Sequence, residues 1–217
     1  MTHIKICGIK EESHALAIAE AGVDFIGLVF AHSPRQVTPA RAEKIVSALK
    51  KANTKTEVVG VFVNTPVSRA NKIADFCHLD WVQLSGNEPW GYCRDLATPV
   101  IKVIRVSRHQ KPEQVCADLT YGTKILKTHK HLFLLDSNVR ERYGGTGKTF
   151  DWNLAKSIVK QFTAIAAGGL TPANVAEAIR TIAPWGVDVS SGVETRGVKD
   201  MAKISKFIEA VRKADGR

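Results

Sequence analysis

The sequence predicts an α/β fold: a (β/α)8 barrel of the TIM type, formed as one domain over residues 1–217. Three observations lead there. Eight short apolar runs rich in Val and Ile punctuate the chain, the pattern of strands buried on both faces. Each is followed by a segment with helical period. Successive runs lie about 20 to 35 residues apart, room for a strand, a helix and two loops. A doubly wound open sheet would also take eight strands, but no G-x-G-x-x-G follows the first run and nothing marks a switch point.

The strand signals are HIKICGI (3–9), FIGLVF (25–30), VVGVFV (58–63), WVQLSG (81–86), VIKVIRV (100–106), LFLLDS (132–137), TAIAAGG (163–169) and GVDVSSG (186–192). The first helix signal starts at Ser13 and stops at Gly22. The second opens on Thr38-Pro39, a cap followed by proline at the first helical position. TPVSRANKIADF, NEPWGYCRDLA and HQKPEQVCADL come next, and the sixth signal starts at Asp151. Thr171-Pro172 repeats the Thr-Pro start, and VKDMAKISKFIEAVRKA closes the chain. The Lys-rich part of 116–131 reads poorly as a helix.

Composition narrows the function classes. The chain is 44% hydrophobic and 24% charged, enough for one sizeable core. The N-terminus lacks a signal-like apolar run, and no segment offers the roughly 18 apolar residues that span a bilayer. A cytoplasmic location is expected. The four cysteines, Cys7, Cys77, Cys93 and Cys116, form no C-x-x-C pair and read as reduced thiols. The histidines show no zinc spacing, so no metal is expected. Formal charge is +10, but the basic residues fall on different elements without aromatic interleaving. That favours a solvated basic surface and an anionic small substrate over nucleic acid or membrane.

In such barrels the functional side chains sit at the C-terminal strand ends. There the chain carries Cys7 on strand 1, Asp136 on strand 6, Gly168-Gly169 on strand 7, and Asp188 with Ser190-Ser191-Gly192 on strand 8. Arg35 follows strand 2 and could grip a carboxylate through its fork. Asn64, Gln83, Ser85 and Arg105 are further polar residues there, without an evident role. A thiol is a candidate base or nucleophile, and a carboxyl at a buried strand end is a candidate general acid. Backbone N–H groups and Ser hydroxyls after strands 7 and 8 suit a phosphate.

One segment points elsewhere. RYGGTGKTFDW (142–152) contains Gly147-Lys148-Thr149, the tail of a nucleotide-binding P-loop. That motif needs a second glycine five residues before Gly147, and the position holds Arg142. Gly144, Gly145 and Gly147 instead read as a bendable lid loop over the active face, with Asp151 capping the following helix.

Taken together, KICGI (5–9), FIGLVFAHSPRQV (25–37), VGVFVN (59–64), VQLSG (82–86), LLDS with GGTGKTFDW (134–137 and 144–152), AAGGLTPANV (166–175) and GVDVSSGVE with GVKD (186–194 and 197–200) resemble the phosphoribosylanthranilate isomerases of tryptophan biosynthesis. The segments run in order through nearly the whole chain. The resemblance implies an Amadori rearrangement of N-(5-phosphoribosyl)anthranilate to 1-(2-carboxyphenylamino)-1-deoxyribulose 5-phosphate, without metal, nucleotide or organic cofactor. It implies Cys7 as general base, Asp136 as general acid, Arg35 near the anthranilate, Asp188 near the substrate amine, and the two Gly/Ser loops as the phosphate grip. Ser85 departs from the family, which usually has His there. The alternatives are another phosphate-binding barrel enzyme, such as an indole-glycerol-phosphate synthase, and a nucleic-acid-binding protein. Nothing in the sequence decides the oligomeric state; a monomer is the favoured expectation.

Overall fold

The computed structural model describes residues 1–106, 110–127, 129–137 and 152–216. Eight parallel strands close into a barrel in chain order: β1 (His3–Cys7), β2 (Phe25–Val29), β3 (Glu57–Phe62), β4 (Trp81–Leu84), β5 (Val100–Val106), β6 (His131–Ser137), β7 (Ala164–Ala167) and β8 (Gly186–Val189). β8 pairs back to β1, with Lys5 opposite Asp188. The outer ring is α1 (Glu12–Glu20), α2 (Pro39–Lys51), α3 (Val67–Phe76), α4 (Trp90–Arg94), α5 (Pro112–Leu126), α6 (Trp152–Val159), α7 (Val175–Ile182) and α8 (Met201–Ala214).

Alternation along each strand divides the apolar residues between two layers. Phe25, Val59, Trp81, Ile101 and Leu132 belong to one cluster, which fills the barrel. Ile4, Ile6, Ile26, Leu28 and Val82 belong to another, packed with residues of α1, α2, α7 and α8. Most strands therefore have apolar residues on both faces, which is why they read as continuous runs and not as alternating ones; β1 and β8 instead carry Lys5 and Asp188.

Turn and cap chemistry sets the helix ends. The Thr38 hydroxyl accepts from the Arg41 N–H at 3.2 Å at the start of α2. Gly22, at φ +75°, ends the first helical segment as expected. In the 116–131 segment the helix runs to Leu126, with Val115, Leu119 and Leu126 burying one stripe, and Lys127 and Lys130 of the Lys-rich stretch lie beyond it, as expected. Two expectations need correction. The Thr171-Pro172 pair opens a turn, and α7 begins only at Val175. The closing helix starts at Met201, where Asp200 caps the Lys203 N–H at 3.2 Å. The residues before it pair as a hairpin, β9 (Glu194–Thr195) with β10 (Val198–Lys199). Its turn residues Arg196 and Gly197 both have positive φ, as a two-residue hairpin requires.

Arg142, Gly144, Gly145, Gly147 and Asp151, which carry the lid and cap expectations, lie outside the described residues. Among the described residues no helix is long and apolar enough to cross a membrane.

Candidate active site

The C-terminal strand ends deliver one polar group after another to a single cavity. Asp136 of β6, Gly168 and Gly169 after β7, and Asp188 of β8 line it. Ser190, Ser191 and Gly192 complete that side, and Gln83 and Ser85 are also part of the lining.

Loops 7 and 8 hold each other in place. A Cβ on Gly192 would stand 1.8 Å from the Leu170 carbonyl oxygen, so only glycine lets the two loops meet. Gly168 and Gly169 both take positive φ, at +90° and +67°. Asn174 then staples loop 7. Its Oδ1 accepts from the Thr171 N–H at 2.7 Å, and its Nδ2 donates to the Gly169 carbonyl at 3.0 Å. On loop 8, the Ser190 hydroxyl donates to the Cys7 carbonyl at 3.2 Å and ties that loop to β1.

Cys7 is 8% exposed at the end of β1. The neighbouring β2 leaves room for it: a Cβ on Gly27 would sit 2.8 Å from the Cys7 sulfur. Burial raises the thiol's pKa above its usual range, against the opposing pull of the Lys5 charge. All four cysteines are free thiols. Asp136 is partly buried, and its pKa is pushed up to about 6 by burial first and by the Asp188 charge second. Arg105 opposes that rise.

Arg35 does make a two-pronged carboxylate contact, but within the protein. Its Nε and Nη2 donate to the two oxygens of Glu194 at 2.7 and 2.6 Å. Glu194 also accepts from Lys199 at 2.8 Å, and Lys199 donates to the Ser190 carbonyl at 2.8 Å. One buried carboxylate on the β9–β10 hairpin thus links Arg35 to the loop beside Cys7. Burial alone would raise the Glu194 pKa; hydrogen bonds from Arg35 and then Lys199 bring it down to about 2.

The polar residues without an evident role brace the neighbouring loops. Arg105 donates to the Asn87 side chain at 2.9 Å and to the Ser85 carbonyl at 2.6 Å. Asn64, at φ +48°, accepts from the Asn87 N–H at 2.8 Å. The Ser85 hydroxyl accepts from Gln83 Nε2 at 3.1 Å, so this serine occupies its position through a partner on its own strand.

Sequence reasoning missed three residues: Lys5, Glu194 and Lys199. Lys5 is fully buried, and its ammonium donates to Asp188 at 2.9 Å. A signal for it existed, since Lys5 stands two residues before Cys7 and so shares its face of the strand. Glu194 and Lys199 carried none, because their partnership depends on the hairpin.

Against this geometry the comparisons with known proteins are direct. The family model for N-(5'phosphoribosyl)anthranilate (PRA) isomerase matches residues 4–210. The chain belongs to this family. An N-(5'-phosphoribosyl)anthranilate isomerase from Dehalococcoides mccartyi is 47% identical over 216 residues, covering 100% of this chain and 98% of the relative. One from Roseiflexus sp. is 46% identical, covering 99% of each. Among solved structures, the phosphoribosyl anthranilate isomerase from Thermotoga maritima is 37% identical with a TM-score of 0.83, covering 98% of this chain and 100% of that one. Another isomerase of the family, 34% identical with a TM-score of 0.80, was solved in complex with reduced 1-(o-carboxyphenylamino)-1-deoxyribulose 5-phosphate, covering 98% of this chain and 100% of that one. The matched residues 4–210 run from β1 into α8 and include the hairpin.

Proposed function

We propose that this chain isomerises N-(5-phosphoribosyl)anthranilate to 1-(2-carboxyphenylamino)-1-deoxyribulose 5-phosphate, with Asp136 as general acid and Cys7 as general base. The observation that carries the reading is the place of Asp188. Its charge acts on Asp136, and it shares Lys5 with Cys7, on the rim that also holds the two Gly/Ser loops.

The chemistry follows from those groups. The ribose ring opens when its ring oxygen receives a proton from the Asp136 carboxyl. An acid held near 6 keeps about a tenth of its molecules protonated at pH 7, against roughly a thousandth for an ordinary carboxyl. Ring opening leaves a protonated imine, which makes the C2 proton acidic. The Cys7 thiolate takes that proton, and the adjacent cationic imine favours the thiolate. The resulting enolamine tautomerises to the ketone. Acid and base contribute about 10² to 10⁴ each in rate. The phosphate rests on the loops of Gly168-Gly169 and Ser190-Ser191-Gly192. Asp188 faces the substrate amine, and Arg35 lies toward the anthranilate carboxylate. On this reading the chain works in the cytoplasm as a single-domain monomer on a small phosphorylated anion.

Freshly made phosphoribosylanthranilate provides the test. Loss of its anthranilate fluorescence on adding the protein is the expected result. No loss above the uncatalysed rate would reject the assignment.

A further inference from the structure

Lys5 is unusual in its setting. It is among the largest side chains that are wholly out of solvent, on an interior strand position that β-barrel packing normally gives to an apolar residue. Its ammonium is held by Asp188 Oδ1 at 2.9 Å, across a strand pair in which the two residues are in direct register. A buried ion pair of this kind is no gain in stability over apolar residues of the same volume. Its retention inside the barrel therefore calls for a use. Cys7 lies two residues further on the same face of β1, and the Lys5 charge acts directly on its sulfur.

Four charged groups act on that sulfur, while Val29 of β2 and Val61 of β3 pack against it. Lys5 lies on its own strand, Asp188 on β8, Lys199 on β10, and Arg35 after β2. Asp188 pairs with Lys5 and by itself raises the thiol, and Lys199 lowers it less than Lys5 does; Arg35 and Lys199 also donate to Glu194. Lys5 is the cation fixed on the strand of Cys7 itself, and it stays charged because Asp188 and then Cys7 outweigh the burial that would neutralise it.

We propose that Lys5 is a positioning residue for the proton transfer: its ammonium, locked by Asp188, is the permanent positive charge against which the Cys7 thiolate forms. Being wholly buried, Lys5 does not touch substrate. It acts through Cys7 alone. This rests on Cys7 being the base, as proposed above.

Two variants separate charge from structure. Lys5→Gln retains a hydrogen-bond donor for Asp188 without the charge, and Lys5→Met removes both. The rate of Cys7 alkylation by iodoacetamide is followed against pH by mass spectrometry of the Cys7 peptide, alongside kcat. In both variants the alkylation midpoint rises by about one unit or more, and kcat near pH 7 falls about tenfold or more, the variant and wild-type profiles converging only above the variant's raised thiol midpoint. A purely structural Lys5 predicts rescue by Lys5→Gln and an unmoved midpoint; either result overturns the proposal. If the buried carboxylate prevents both from folding, Lys5→Met/Asp188→Asn is compared with Asp188→Asn, and the midpoint must again be the higher in the variant that lacks Lys5. Cys7→Ala distinguishes the two readings. Full turnover in Cys7→Ala, with the midpoint shift present in the Lys5 variants that retain Cys7, would reject Cys7 as base while leaving the Lys5–thiol coupling standing.

Discussion

Arg35 and Glu194 meet fork to carboxylate, with Nε to Oε1 at 2.7 Å and Nη2 to Oε2 at 2.6 Å, across 159 residues of chain. Glu194 holds Lys199 as well, and its side chain is only 6% exposed. Glu194→Ala would strand the buried Lys199 without its carboxylate and release Arg35. The expected cost is about 3 kcal/mol of unfolding free energy in urea, with KM raised because Arg35 is no longer aimed. Unchanged stability and KM would refute the link.

The same carboxylate sets an acid limit. Its folded pKa of about 2 lies below the unfolded value near 4.3, so its stabilisation is full above the unfolded value. It is lost as pH falls from about 4 to about 2. Wild-type urea midpoints should therefore drop across that window, and the drop should be smaller in Glu194→Gln. Parallel curves for the two proteins would contradict this.

Asp136 and Cys7 titrate in the reverse order of their roles, the acid near 6 and the thiol raised above its usual range. Between those values protonated Asp136 falls tenfold per pH unit while thiolate rises tenfold, so kcat/KM stays level. Below about 6 the acid is already protonated and further loss of thiolate makes the rate fall. Asp136→Asn should remove that lower inflexion and lower kcat at least about a hundredfold. An inflexion near 6 that survives in Asp136→Asn would belong to the substrate phosphate, whose second pKa is also near 6; the fall of rate with thiolate continues in the variant.

Cys7→Ala should likewise lower kcat at least about a hundredfold, with an unchanged circular dichroism spectrum. The methyl group fits where the thiol packs against Val29 and Val61. Near-wild-type turnover would remove Cys7 from the reaction.

Gly192→Ala tests the phosphate grip. Its Cβ would sit 1.8 Å from the Leu170 carbonyl, so loop 7 or loop 8 has to move. KM should rise about tenfold or more, and added inorganic phosphate should inhibit the variant more weakly than wild type. Equal KM and equal phosphate inhibition would show that the loops do not hold the phosphate.

By itself the sequence determined the order and kind of the barrel elements, because those follow from local rules. Val- and Ile-rich runs, the Thr38 cap and the Gly22 stop act within a few residues of themselves. It also put Cys7, Asp136, Asp188 and the two Gly/Ser loops at strand ends, since the barrel topology sends every strand end to one face. Its errors were local boundaries: α7 begins at Val175 and not at Thr171-Pro172, and a hairpin precedes α8. Only the tertiary structure decided which charges pair. Lys5 and Asp188 are 183 residues apart, and Arg35 and Glu194 are 159 apart. Their contacts exist because β8 closes onto β1 and the hairpin brings Glu194 to Arg35 and Lys199 to the Ser190 carbonyl. A charge in an apolar run has no readable partner until the barrel closes, and closure is what sets Asp188 against the Lys5 that already shares a strand face with Cys7.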